Sequence, residues 1–148
     1  MDIRPATASD IDALMTLQRR GRQWAWNRQV WQEEVRRKQG LVWVVERGSE
    51  QGIDACLVAW RGVDAVEIVD LVVDPGARRQ SIASTMVQTL IVVAAAYGAQ
   101  RIRLEVRDSN RGAIEFYQTL GFHFVGRQSG YYADGADAEM MEFRIARS

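Results

Sequence analysis

The sequence predicts a mixed α/β layer in which a crossover helix joins two parallel strands. Three observations carry this. The elements read in the order β-α-α-β-β-β-α-β-α-β-β. Residues 63–74 form a long, largely apolar and β-branched run that suits a central strand covered on both faces. A strongly apolar helical stripe over 82–97 then separates that run from an alternating strand over 101–107. With 148 residues, 47% of them hydrophobic and 26% charged, the chain reads as one globular domain over 1–148. That length buries a core without metal or disulfide staples.

Each element has its own signal. Residues 1–6 read as a short first strand. Ser9 is expected to cap a helix, with Asp12 completing a weak capping box, and Ile11, Leu14, Met15 and Gln18 follow at helical spacing. Asn27 is a second N-cap candidate, opening a helix with Val30, Trp31 and Val35 inward. Residues 41–47 and 54–61 read as strands around a Gly/Ser-containing turn. In the long helix, Ile82, Met86, Val87, Leu90, Ile91 and Ala94 make one stripe, and Gly98 closes it. In the strand after it, Ile102, Leu104 and Val106 share one face, Arg103 and Glu105 the other. A short helix over 110–120 aligns Ala113, Phe116, Tyr117 and Leu120 and ends at Gly121; residues 122–126 and 140–145 are the last strands. Pro5 and Pro75 both fall at strand ends.

Composition removes several function classes. Nineteen basic and nineteen acidic residues cancel, so a broadly basic nucleic-acid surface is not supported. The basic residues are nearly all arginine, Lys38 being the only lysine, and arginine suits bidentate contacts to phosphate and carboxylate. A single cysteine, Cys56, rules out an intrachain disulfide and a Cys-based zinc cluster, and reads as a small buried hydrophobe. A Ser-His-Asp triad would have to use His123, the only histidine, and no motif surrounds it; His123 reads as structural. The longest apolar run, residues 90–97, is too short for a bilayer, and no long apolar region follows Asp2 and Arg4. The expectation is a soluble cytoplasmic protein with no metal, no nucleic acid and no membrane partner, monomeric or a weak homodimer. Chemistry is left to carboxylates, tyrosine, serine, arginine or backbone groups.

The most informative segment is Leu71-Val72-Val73-Asp74-Pro75-Gly76-Ala77-Arg78-Arg79-Gln80-Ser81-Ile82-Ala83. A strand enters a Pro/Gly turn, then an arginine-rich loop, then a helix. The unpaired N–H groups at a helix start lie at the positive end of its dipole and suit a pyrophosphate. Small residues at Ser81 and Ala83 let the backbone approach, and Arg78 and Arg79 add charge. The Gly-Lys-Ser/Thr of a P-loop and the glycine triplet of a dinucleotide site are both missing. Without a ligand, the same segment reads as a solvated loop beside an ordinary helix.

This loop, Arg78-x-x-Ser81-x-Ala83, resembles the Arg/Gln-x-x-Gly-x-Gly/Ala loop with which the GNAT N-acetyltransferase superfamily holds the pyrophosphate of acetyl-CoA. Serine stands at 81 where glycine is usual. The following Arg103-Leu104-Glu105-Val106-Arg107-Asp108-Ser109-Asn110, Ala113-Ile114-Glu115-Phe116-Tyr117 and Leu120-Gly121-Phe122 are similar to the RimI-type ribosomal-protein alanine N-terminal acetyltransferases. Tyr131-Tyr132 stands where that subfamily often has a tyrosine pair. The resemblance covers residues 60–145 well. The N-terminal third matches only by element order and the Trp26-Asn27 pair. It implies the GNAT fold, a central mixed, mostly antiparallel sheet with a parallel splayed strand pair, flanked by helices.

The resemblance also implies roles. Acetyl-CoA is the co-substrate, its phosphates on Arg78, Arg79, Gln80, Ser81, Ile82 and Ala83. Its pantetheine pairs with the backbone of Leu71 and Val73, whose side chains are expected to be core, and touches Asn110. Glu105 is the general base, and by residue alone a surface glutamate paired with Arg103 or Arg107. Tyr117 is the general acid and a cofactor contact, and by spacing alone a core aromatic. Asn110 reads equally as a helix N-cap. Glu67 is a rival base, because a glutamate in so apolar a strand calls for a function or a partner; Asp70, equally odd there, is expected to cap or orient a loop. Trp26, Tyr131 and Tyr132 are expected at the acceptor, with Trp24 and Trp31 in the same aromatic cluster. The implied reaction is acetyl transfer to the N-terminal amine of a ribosomal or other protein. A small-molecule amine or lysine acceptor, and a non-catalytic acyl-CoA-binding or interaction module, are the alternatives.

Overall fold

The computed structural model describes residues 2–22, 25–46, 52–77 and 81–146. The elements are β1 (Ile3–Pro5), α1 (Ile11–Gly21), α2 (Arg28–Arg36), β2 (Gly40–Val45), β3 (Ala55–Arg61), β4 (Ala65–Val73), α3 (Ile82–Ala96), β5 (Arg101–Arg107), α4 (Arg111–Thr119), β6 (His123–Gln128) and β7 (Ala138–Arg144). Short 3-10 turns, Ala8–Asp10 and Pro75–Ala77, precede α1 and α3. The order is the one the sequence predicts. The strands form one seven-stranded sheet, β1-β2-β3-β4-β5-β7-β6, with β4 at its centre. The β4–β5 pair is parallel, while β1–β2, β2–β3, β5–β7 and β6–β7 are antiparallel. The parallel register runs Ala65–Ile68 against Arg101–Leu104, and both strands continue beyond it.

The residues pack as two compact units, Met1–Arg61 with Val69–Val87, and Gly62–Ile68 with Gln88–Ser148. In the first, α1 and α2 bury Ile11, Leu14, Leu17 and Trp31 against Val42, Val44, Cys56, Val58 and Val72. Each such aliphatic side chain, removed from water, contributes about 1.5–3 kcal/mol. Cys56 is buried as expected, and burial raises its thiol pKa, with Asp70 adding to the effect. In the second unit, Ile102, Leu104 and Val106 alternate inward along β5, as predicted, and α4 buries Ile114 and Tyr117.

Several local expectations change. The first cap lies at Thr7, not Ser9. The Thr7 N–H donates to Asp10 Oδ2 at 2.8 Å, and Arg4 holds the same carboxylate with two bonds of 2.9 Å. A 3-10 turn therefore comes before the α-helix, while Asp12 pairs with Arg28 on the surface. The Asn27 cap is present, with Oδ1 accepting the Val30 N–H at 2.9 Å. Val72 is the core residue near the end of β4. Leu71 and Val73, expected in the core, are half-buried because alternation around Val72 turns them the other way. Gly121 has φ 100°, and a Cβ there would lie 3.0 Å from the Phe143 ring, so the end of α4 requires glycine.

Candidate active site

The candidate catalytic carboxylates lie in the second unit. Alternation along β5 that sends Leu104 and Val106 inward leaves Glu105 half-buried on the opposite face. Glu67 of β4 stands in register with Arg103. Burial raises the Glu67 carboxyl above its usual range, the Glu105 charge raises it further, and Arg103 opposes both. One of two interacting carboxylates is thus biased toward its neutral form. The neighbouring Glu105 carboxylate pushes the Tyr131 phenol up to about 12, with burial adding to the effect. Its ring meets Tyr132 edge-on at 5.0 Å.

Arg107, two residues beyond Glu105, holds the tyrosine loop. Its guanidinium lies 4.4 Å from the Tyr132 ring centroid, and its Nη1 is 2.7 Å from Asp134 Oδ2. Asp134 Oδ1 accepts the Ala136 N–H at 3.0 Å, and Asp137 Oδ1 accepts that of Gly130 at 2.9 Å. The residue-level alternative paired Arg103 or Arg107 with Glu105; instead Arg107 serves Asp134 and Tyr132, and Tyr131 neighbours Glu105. Sequence reasoning missed the role of Arg107. The acidic Asp134 and Asp137 just after the tyrosine pair are the only hint of it.

Tyr117 packs on the buried face of α4, edge-on to Phe116 at 5.0 Å and to Phe122 at 5.3 Å. Asn110 caps this helix, its Oδ1 accepting the Ala113 N–H at 3.2 Å. His123 is exposed at the start of β6.

In the first unit, Ser81 opens α3. Its carbonyl accepts the Thr85 N–H and the Ser84 hydroxyl, both at 3.1 Å. Its φ is 60°, in the left-handed region that favours glycine. The backbone at this position therefore has the conformation a glycine would supply, with serine occupying it. Ile82 is buried and Ala83 half-buried behind it. Arg78, Arg79 and Gln80 lie outside the described residues, as does Trp24. Upstream, Asp74 takes Arg20 at 2.7 Å and the Gly76 N–H at 2.9 Å. Trp26 packs edge-on to Trp31 at 4.9 Å. Asp70 does orient a loop: it holds Arg22 through two bonds of 2.6 Å.

The sequence profile of the Acetyltransferase (GNAT) family matches residues 11–122. The chain belongs to the GNAT acetyltransferase family. Within this family it is 41% identical over 75 residues to an N-alpha-acetyltransferase of Saccharolobus solfataricus, covering 50% of this chain and 45% of that protein. It is 33% identical over 87 residues to the ribosomal-protein-alanine N-acetyltransferase of Escherichia coli, covering 57% of this chain and 59% of the relative. The chain spans about half or less of the length of the first curated relatives it matches. The crystal structure of the ribosomal-protein-S18-alanine N-acetyltransferase from Escherichia coli superposes with a TM-score of 0.88 at 24% identity, covering 99% of this chain and 95% of that one. That likeness confirms the GNAT fold, with its mostly antiparallel sheet and one parallel pair. Among the described residues, no helix is long and apolar enough to cross a membrane.

Proposed function

We propose that the chain acts as one domain over 1–148 that transfers the acetyl group of acetyl-CoA, in the cytoplasm, to the N-terminal α-amine of a protein. The observation that carries this is Arg107, two residues beyond Glu105 on β5, stacked 4.4 Å over the Tyr132 ring that Tyr131 meets edge-on. It ties the strand of the candidate base, whose sequence resembles the RimI-type enzymes, to the tyrosine pair assigned to the acceptor. The N-alpha-acetyltransferases and ribosomal-protein-alanine acetyltransferases among its relatives support the same acceptor class.

In this reading Glu105 removes a proton from the acceptor ammonium, directly or through water. The amine nitrogen attacks the thioester carbonyl, the new C–N bond forms, the C–S bond breaks, and the second proton shed by the nitrogen passes through water to restore the Tyr117 phenol once it has protonated the thiolate. Tyr117 gives its phenolic proton to the leaving thiolate. The N–H groups at Ser81, Ile82 and Ala83, with Arg78, Arg79 and Gln80, receive the pyrophosphate. The left-handed Ser81 fits that task because the family's loop has glycine there, the residue that adopts this conformation most readily. Leu71 and Val73 pair with the pantetheine by adding it to the strand edge, and Asn110 contacts it. The Leu71 N–H is engaged by Asp70 Oδ1 at 3.0 Å, so in this reading Leu71 pairs through its carbonyl. Trp26 in the first unit, and Tyr131 and Tyr132 in the second, are each assigned to the acceptor.

The test is turnover on a panel of acceptor peptides and small amines, alongside calorimetry with acetyl-CoA. Glu105→Gln is expected to lower kcat about a hundredfold or more while acetyl-CoA affinity stays within about twofold. Tyr117→Phe, which keeps the ring packing, is expected to lower kcat as well. Full activity in Glu105→Gln together with loss in Glu67→Gln would move the base to Glu67. Acetyl-CoA binding with no transfer to any amine would support a non-catalytic module.

A further inference from the structure

Gln18 stands in α1, in a stripe otherwise filled by Ile11, Leu14 and Leu17, and is 1% exposed. Its amide is used at both ends. Nε2 donates to Asp70 Oδ2 at 2.9 Å. Oε1 accepts the Trp26 backbone N–H at 2.8 Å and the Trp31 indole Nε1–H at 3.0 Å. Asp70 is held in turn by Arg22, with both oxygens engaged at 2.6 Å, and its Oδ1 also takes the Leu71 N–H at 3.0 Å. A continuous chain of bonds therefore runs from Leu71 through Asp70 and Gln18 to Trp26, all within the first compact unit.

This arrangement has one orientation. Reversing the amide would set its NH2 against two N–H donors and its carbonyl against a carboxylate. A helix that needed only burial would place leucine here, since desolvating an amide costs free energy that its bonds merely offset. A fully satisfied buried network does something leucine cannot: it fixes geometry. The geometry fixed is that of the Trp26 backbone, between α1 and α2, with respect to the Leu71–Asp70 step of β4.

We infer that Gln18, keyed by Asp70 and Arg22, is a positioning residue that sets where Trp26 stands for the acceptor. It governs acceptor affinity and leaves the chemical step alone. The inference rests on the acetyl-transfer reading above. Gln18→Met keeps the length of the side chain and removes its amide. The acceptor KM is expected to rise about tenfold, with kcat and the acetyl-CoA Kd each within about twofold. Asp70→Asn retains an oxygen for Gln18 Nε2 and is expected to stay within about threefold of the parent KM. In the free protein, the Trp26 amide is expected to exchange its hydrogen about tenfold faster in Gln18→Met. A fall in kcat matching the rise in KM, an unmoved KM, or an unchanged Trp26 exchange would each overturn the inference. Should Gln18→Met fail to fold, Gln18→Leu removes the same amide while leaving Asp70 and Leu71 in place, with the same split expected. A parent protein that binds acetyl-CoA but acetylates no acceptor would overturn the acetyl-transfer reading instead. The Trp26 exchange, which needs no turnover, tells the two failures apart.

Discussion

Ser81 places a side chain where the backbone asks for none. A non-glycine residue at positive φ costs about 1–2 kcal/mol. Ser81→Gly relieves that strain, but glycine also frees the unfolded chain by a comparable amount, so Tm is expected to move little. The ligand is the more sensitive reporter. Removing the Cβ beside the expected pyrophosphate should tighten acetyl-CoA binding about threefold by calorimetry. Ser81→Val, β-branched at the same φ, should destabilise the fold by about 1–3 kcal/mol in thermal unfolding and weaken binding. Weaker binding in Ser81→Gly would instead assign the serine hydroxyl itself to the ligand. Single residues differed in how legible they were. Glu105 could be placed on the face of β5 opposite Leu104 and Val106, because that strand alternates within its own residues. Arg107 and Gln18 could not be assigned their tasks, because their partners lie 27 and 52 residues away in sequence.

At the scale of elements, β5, α3 and α4 were readable because each carries its period and its stop signal within its own residues. The start of α1 was misplaced because its cap depends on a partner outside the helix. Asp10 satisfies the Thr7 N–H while Arg4, on β1, holds the carboxylate. The loop between β6 and β7 makes a similar case. Nothing in its own sequence says that Tyr131 will reach Glu105; Arg107 and the two aspartates that fold the loop bring it there. Arg107→Ala is therefore expected to act on the loop and hardly on the fold. The Arg107–Asp134 pair is well exposed, and such pairs contribute about 1 kcal/mol or less, so Tm should stay within about 3 °C. The acceptor KM should rise about fivefold or more as the tyrosine pair loosens, with acetyl-CoA affinity unchanged. Peptide kinetics beside a thermal melt would check this. A KM unchanged in a well-folded variant would remove the tyrosine loop from the acceptor site.

For the whole molecule, the crossover from β4 through α3 to β5 followed from the sequence, since a right-handed parallel connection is nearly obligatory. The place of the last hairpin did not. Alternation alone allows either β6 or β7 to lie beside β5, and the pattern of β6, exposed along its length, gives no inward face to decide it. The observed order puts β7 there, with Glu105 opposite Met140 and Arg107 opposite Ala138, so the β6–β7 loop returns to the end of β5 that carries the candidate base. The acetyl-CoA reading can be tested at the same scale, by stability, before any acceptor is known. A ligand that binds only the folded state stabilises it by about 2.7 kcal/mol when present at 100 times its Kd. For a chain of this length that corresponds to a rise in Tm of about 5–10 °C. The shift should grow with the logarithm of acetyl-CoA concentration and vanish when Arg78 and Arg79 are both changed to Glu, while the unliganded Tm of that variant stays close to the parent's. A parent Tm that ignores millimolar acetyl-CoA would remove the co-substrate and, with it, the acetyl-transfer reading. A shift that survives the charge reversal would keep the co-substrate and move its phosphate contacts to the backbone at Ser81, Ile82 and Ala83.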